Sequence, residues 1–189
     1  CAFTGLLGCR LFSPKVGLAA GLAAAFYGTL IFFDGELLPA NLAVFLNAAG
    51  LLLLHRALQR GSTKTFAASG LVFGLAALAV PTVLVFVPLA AGWIYQKRRS
   101  LPAVAALLLG TAAAVAPVTL RNYTVGGDTV LISFNSGINF FIGNNADYHN
   151  TLRTRPGWEW DDLAQQPARQ GIKRPTEKSA YFWRQSWDY

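Results

Sequence analysis

The polar residues best suited to binding chemistry are five asparagines that cluster within one short stretch of the chain. They are Asn135, Asn139, Asn144, Asn145 and Asn150. An amide side chain both donates and accepts hydrogen bonds, so such a cluster can line a pocket for sugar hydroxyls or for a phosphate. The alternative is that Asn and the neighbouring glycines satisfy tight turns, because both residue types tolerate left-handed backbone angles.

Charged residues next to apolar runs are the other binding candidates. Arg121, followed by Asn122, ends an apolar run. Its guanidinium either holds a lipid phosphate through paired donors or extends from a helix end into the headgroup layer. Asp34 and Glu36 flank a glycine between two other apolar runs, and they either help to shape a substrate cleft or form a solvated turn.

The elements that must position these residues are long stretches without Asp, Glu, Lys or Arg. Hydrophobic residues make up 53% of the chain and charged ones 13%, a composition that a soluble domain of 189 residues could not bury. A bilayer core of about 30 Å needs roughly 20 apolar helical residues. After a partial apolar segment at 1–12, the uncharged runs are 16–33, 37–54, 65–96 and 101–120. The sequence predicts an all-α polytopic membrane region over 1–120.

The run at 65–96 is too long for one crossing at about 1.5 Å per residue, and it contains Pro81 and Pro88. It forms either one tilted, kinked helix or two short helices. Cytoplasmic loops collect Lys and Arg, so the basic connections should share the cytoplasmic side; they hold Arg10, Lys15, Arg56, Arg60, Lys64, Lys97, Arg98 and Arg99. Only a hairpin that turns near 79–81 places every basic connection on the cytoplasmic side. The same arrangement puts 121–189 on the extracytoplasmic side.

The net charge of +7 follows this distribution and does not indicate a nucleic-acid partner. Residues 1–120 hold eight basic and two acidic side chains, and residues 121–189 hold eight and seven. The excess lies in separate juxtamembrane turns instead of one water-facing surface. Asp147 and His149 are two potential metal ligands without a third, and we assign neither a metal nor another cofactor.

The segment 121–189 is predicted to form a small mixed α/β or irregular unit on the extracytoplasmic side. Residues 129–134 follow a glycine turn and 138–142 are apolar, and both fit short strands. A helix is expected from about Pro175, because Pro suits the first turn and Glu177 the positive helix end. Four of the five tryptophans lie in this segment, either at the headgroup level or packed within a soluble subdomain.

Four segments together resemble bacterial GT-C glycosyltransferases related to protein O-mannosyltransferases. They are SGLVFGLAALAVPT at 69–82, Arg-Asn-Tyr at 121–123, GINFFIGNN at 137–145 and the turn FFDGELL at 32–38. The resemblance spans most of the chain. It implies a GT-C-like membrane enzyme of the bacterial inner membrane. Such an enzyme transfers a sugar, with inversion, from a polyprenyl-phosphate donor to a glycan, lipid or protein acceptor on the outer face.

Enzymes of this kind typically use an acidic residue of the first outer loop as base. That loop would precede Cys1, so no catalytic residue is expected in this chain. The expected substrate-binding residues are Arg121, Asn122, Asn139, Asn144, Asn145, Asp34 and Glu36. Relatives often carry Arg before the Pro-Thr of the hairpin, where this chain has Val80. Because the chain contains no methionine, we expect it to be an internal segment of a longer protein.

Two other classes of protein stay open. A transporter or flippase-like protein would carry ionisable residues within its helices to mark a pathway, and the uncharged runs have none. A structural membrane subunit that only holds partners needs no such residues. An Asp or Glu pair in the first outer loop of the longer protein would favour the enzyme.

Overall fold

The chain folds into helices in the described residues, 1–35, 38–155 and 157–188, of this computed structural model, which contain no strand. It divides into two compact units, Cys1–Pro117 and Val118–Tyr189. The helices in chain order are α1 (Ala2–Leu11), α2 (Pro14–Ala25), α3 (Gly28–Gly35), α4 (Pro39–Arg60), α5 (Thr63–Ala79), α6 (Phe86–Arg98), α7 (Leu101–Thr124), α8 (Ser136–Gly143), α9 (Tyr148–Thr151), α10 (Trp158–Ala164), α11 (Gln166–Arg169) and α12 (Pro175–Trp187).

Two of the described helices, α4 and α7, are long and apolar enough to cross a membrane. The run 16–33 forms α2 and α3, which are bent by 50° at a short break and pass the same test together. Gly28 follows the break, and a glycine inside an apolar run weakens helix continuity. Length and composition therefore give two spans, or three if the bent pair is one.

The run 65–96 forms two helices that run in opposite directions. Val80 is extended, with φ −140° and ψ 100°, as expected for a residue before proline. A 3-10 turn over Pro81–Val85 leads into α6. The end of α6 returns to the start of α5, because a Cβ placed on Gly61 would lie 2.5 Å from Nη2 of Arg98. The chain therefore reverses between α5 and α6.

The core of the unit 1–117 lies among α4, α5, α6 and α7. Its largest buried side chains are Leu54, Phe66, Phe73, Ile94 and Leu107. Helices α5 and α7 approach closely through glycines, since a Cβ on Gly70 or Gly110 would meet backbone of the other helix. Small residues at a helix interface allow this close approach.

The unit 118–189 has its own small core, which includes Ile138, Leu163 and Phe182. Phe182 belongs to α12, which begins at Pro175, so the predicted helix start is confirmed. The strand predicted for 138–142 is wrong, because these residues lie within α8. One face of α8 packs Ile138 and Phe141 into the core, and that spacing is helical.

The strand predicted for 129–134 is also wrong, because the carbonyls of this segment bond to side chains of α7 and not to a neighbouring strand. Asn122 Nδ2 donates to the carbonyl oxygens of Val130 and Ile132, at 3.1 and 3.3 Å. Thr119 Oγ1 donates to that of Leu131, at 2.7 Å. The segment is irregular as a result, in line with the irregular alternative for this part of the chain.

Candidate functional site

The C-terminal end of α7 and the irregular segment after it enclose a cleft of about 250 Å³. Asn122 forms part of its wall, and its amide holds that segment in place through the two hydrogen bonds described above. Described lining residues with polar side chains are Asn122, Asp128, Ser133 and Asn135. Sequence reasoning missed Asp128 and Ser133, because nothing in their local pattern shows that the chain folds back onto α7.

Asp128 ties this segment to the first turn of α12. Its carboxylate accepts from the Thr176 backbone N–H at 2.8 Å and from the Thr176 hydroxyl at 2.8 and 2.9 Å. Thr129 N–H adds a further bond to Oδ1. The Thr176 backbone bond is the main reason that the pKa of Asp128 lies below its ordinary value, since hydrogen bonds to the charged form favour it. Asp128 thus satisfies a free backbone N–H in the first turn of α12 from a distant part of the sequence.

This link makes the unit 118–189 sensitive to acid. Because the pKa of Asp128 is lowered on folding, its contribution to stability is complete above the ordinary value of 3.8 and is lost as pH falls through the lower folded value. We expect Asp128→Asn to melt a few degrees below the wild type at pH 7, with the difference shrinking below pH 3.8. Thermal melts followed by circular dichroism at pH 7, 5 and 3 measure this. An equal difference at all three values would contradict the assignment.

Arg121 is exposed and is not among the described residues that line the cleft. Its side chain makes no hydrogen bond or ion pair with the rest of the chain as described, while its backbone carbonyl accepts from Val125 N–H. It is the only basic residue in the last turn of α7. The guanidinium is therefore open to an external anion.

The predicted asparagines fall into two groups. Asn144 Nδ2 donates to the Phe140 carbonyl at 2.9 Å. Asn145 is buried, and its amide bonds the Phe141 carbonyl at 2.6 Å and the Thr151 hydroxyl at 2.9 Å. These two side chains satisfy the end of α8 and the following turn. Asn139 is exposed on α8 and makes no side-chain hydrogen bond to the described chain, so its amide is free for a ligand.

The acidic candidates belong to the other unit. Asp34 lines a cleft of about 370 Å³ at the start of α4, whose other polar side chains include Thr4 and Asn41. Asn41 Nδ2 donates to the Phe33 carbonyl, which ties α4 to α3. Most of the cleft wall is apolar, with Phe3 and Phe45 stacked across it at 5.2 Å. Glu36 lies outside the described residues.

An aromatic cluster on α8 and α12 was not predicted as part of a site. The Phe140 ring stacks on Trp183 at 4.4 Å between centroids and lies 5.8 Å from Trp187. Trp187 is 74% exposed and Trp158 is 78% exposed. The i,i+4 spacing of Trp183 and Trp187 indicated one helix face, but only folding brings Phe140 against it. Trp160 instead packs on the core of the unit, as expected for packing within a subdomain, and placement of the exposed tryptophans at the headgroup level stays a prediction.

No group of three His, Cys, Asp or Glu side chains that could hold a metal ion occurs among the described residues. No family model, curated protein or solved structure matches the chain.

Proposed function

We propose that this chain is part of a membrane glycosyltransferase that takes a sugar from a polyprenyl-phosphate donor at the outer face of the bacterial inner membrane. The observation that carries the proposal is the open guanidinium of Arg121 at the end of a membrane-length helix. A monophosphate on a lipid chain needs a cation at the depth of the headgroups, because its charge cannot enter the apolar layer. The end of α7 supplies that cation.

The charge pattern of the unit 1–117 supports the sidedness of this proposal. The connection between α4 and α5 meets the end of α6, so Arg60, Lys64 and Arg98 lie at one end of the helices. That end is cytoplasmic if the bias of Lys and Arg toward cytoplasmic loops holds. Helix α7 starts from it at Leu101 and continues for 24 residues, about 36 Å, so its last turn reaches the outer side.

The polar groups of the unit 118–189 have different roles in the proposed binding of the donor. Arg121 pairs with the donor phosphate through parallel N–H donors. Asn139 and the cleft residues Ser133 and Asn135 offer amides and a hydroxyl to sugar hydroxyls. Asn122, Asn144 and Asn145 hold the backbone that carries these groups. In glycosyl transfer the phosphate becomes the leaving group, so a cation beside it stabilises developing charge.

Replacing Arg121 tests the proposal. We expect Arg121→Gln to bind a polyprenyl monophosphate at least about 10-fold more weakly than the wild type, since charge-assisted hydrogen bonds contribute about 1.5–3 kcal/mol. Equilibrium binding of a fluorescent polyprenyl monophosphate to the detergent-solubilised chain measures this. The matched control is Arg153→Gln, which removes one exposed arginine of the same unit and should leave binding unchanged.

Equal binding by the wild type and Arg121→Gln would remove Arg121 from the donor site. Absence of saturable binding by the wild type would contradict the proposal that the chain binds a polyprenyl-phosphate donor. A scaffold subunit would give this second result, and so would a transporter of another substrate.

A further inference from the structure

Six exposed basic side chains form a patch at one end of the unit 1–117. This patch, here called the basic collar, consists of Arg56, Arg60, Lys64, Lys97, Arg98 and Arg99. Arg56 and Arg60 lie one turn apart near the end of α4, and Lys64 lies in the first turn of α5. The guanidinium of Arg98 lies against Gly61, which brings the end of α6 to the same place.

The positive charge of the collar is not neutralised within the unit. The only acidic residues in 1–117 are Asp34 and Glu36. Asp34 lines the cleft beside Asn41, and the distance along α4 from Asn41 to Arg60 is about 28 Å at 1.5 Å per residue. That distance is more than three times the Debye length of about 8 Å at physiological salt, so the Asp34 charge is screened from the collar. No ion pair involves a collar residue in the described part of the chain.

Two of the arginines lie against neighbouring groups of the same unit. Gly61 has φ +68°, and any side chain there would displace the Arg98 guanidinium. Arg99 has φ +47°, an uncommon value for a residue with a side chain. Its Cζ lies 5.6 Å from the centre of the Tyr95 ring, within cation–π distance.

Exposed apolar side chains adjoin the collar. Leu101, two residues after Arg99, is 69% exposed, and Trp93 and Tyr95 on α6 are each 42% exposed. A soluble polyanion would gain nothing from these neighbours. A phospholipid would gain from both, because its phosphate meets the basic groups while its acyl chains cover the apolar surface.

We propose that the basic collar binds the phosphate groups of anionic phospholipids, with Arg60, Lys64 and Arg98 as its centre. Basic clusters beside membrane helices recognise anionic headgroups in this way. The proposal uses only the unit 1–117 and does not depend on sugar transfer. Loss of the donor-binding proposal would therefore leave it intact.

The test compares phosphatidylglycerol with phosphatidylcholine on the full chain. Native mass spectrometry from neutral detergent counts the lipids retained at equal added concentration, and thermal melts report stabilisation. We expect preferential retention of phosphatidylglycerol and a higher melting temperature with it. The triple variant Arg60→Gln/Lys64→Gln/Arg98→Gln should weaken phosphatidylglycerol binding by at least about 10-fold, since each basic residue near an anionic surface contributes severalfold.

A second triple variant separates a site from general charge attraction. Arg153→Gln/Lys173→Gln/Arg184→Gln changes the net charge by the same amount on exposed residues of the other unit and should retain the preference.

Equal retention of the two lipids by the wild type would overturn the proposal. So would equal losses in the two triple variants, which would indicate general charge attraction. Heparin that displaces phosphatidylglycerol from the wild type at comparable concentration would overturn it as well, because the partner would then be a soluble polyanion.

Discussion

Gly70→Ala is expected to lower the free energy of unfolding of the unit 1–117 by about 3 kcal/mol, because forced overpacking costs about this much. A Cβ at Gly70 would lie closer than 3.0 Å to the Leu107 carbonyl of α7. That neighbour is backbone, so it cannot rotate away as a side chain would. The helices must separate instead.

The contact between α5 and α7 is reciprocal, which makes relief by a small shift difficult. A Cβ at Gly110 would meet the Ala67 carbonyl in the same way. Thr111 Oγ1 donates to the Gly70 carbonyl at 3.1 Å and is buried. Separation of the helices would break this interhelical bond and expose Leu107, which is fully buried. The broken hydrogen bond and the exposed Leu107 side chain both add to the free-energy cost of the steric overlap.

Unfolding in mixed detergent micelles, followed by circular dichroism, measures the change. Gly92→Ala is the matched control, because a Cβ at Gly92 meets nothing within 4 Å and alanine favours helix over glycine. It should leave stability unchanged or raise it. Equal stability of Gly70→Ala and Gly92→Ala would contradict the close approach of α5 to α7.

The second large effect is expected in the unit 118–189. Gly137→Ala would place a Cβ closer than 3.0 Å to the Ser179 carbonyl and disturb the bond from Gly137 N–H to Ser179 Oγ, which is 3.1 Å long. Displacement of α8 from α12 would expose Ile138 and Phe182. We expect a loss of about 2–3 kcal/mol from this overpacking.

The aromatic cluster gives a direct signal for this change. Phe140 stacks on Trp183, so near-ultraviolet circular dichroism should weaken in Gly137→Ala before the helical signal is lost. Gly143→Ala serves as the control, because Gly143 ends the same helix and has no atom within 4 Å of its added Cβ. A near-ultraviolet spectrum of Gly137→Ala that matches the wild type would show that α8 and α12 are not in close contact.

The two helices that are long and apolar enough to cross a membrane could be predicted because their signal is local. Absence of charge over about 20 residues identifies α4 and α7 without knowledge of any contact. Pro81 predicted a break in 65–96 for the same reason. The bend between α2 and α3 was not predicted, because the run 16–33 is apolar throughout and nothing in the sequence distinguishes Gly28, at the bend, from Gly17 and Gly21.

The misassigned strands show where local pattern fails. Residues 138–142 are apolar and short, and such a run fits a strand or a buried helix equally well. Gly137 allows α8 to lie directly on α12, and that contact decides the outcome. Residues 129–134 do not form a strand because side chains of Asn122 and Thr119 take their carbonyls. Both decisions depend on residues distant in sequence.

The candidate site could be predicted in its residue types but not in its division of roles. Arg121 and Asn139 are exposed, and their roles in substrate binding stay predictions. The amides of Asn144 and Asn145 donate to backbone carbonyls at the end of α8. This agrees with the alternative interpretation, in which asparagines satisfy turns. Asp128 was not identified at all, because its partner Thr176 lies 48 residues away.

The proposed sidedness puts the collar residues on the cytoplasmic face and the segment 121–189 on the outer face, as the bias of Lys and Arg toward cytoplasmic loops predicts. Cysteine labelling measures this most directly, after Cys1 and Cys9, both exposed and free, are replaced with Ala. Thr63→Cys reports on the collar and Ala146→Cys on the outer unit; both positions are exposed. In intact spheroplasts, an impermeant maleimide should label Ala146→Cys and leave Thr63→Cys unlabelled until the membrane is permeabilised. Labelling of both before permeabilisation, or of Thr63→Cys alone, would contradict the account.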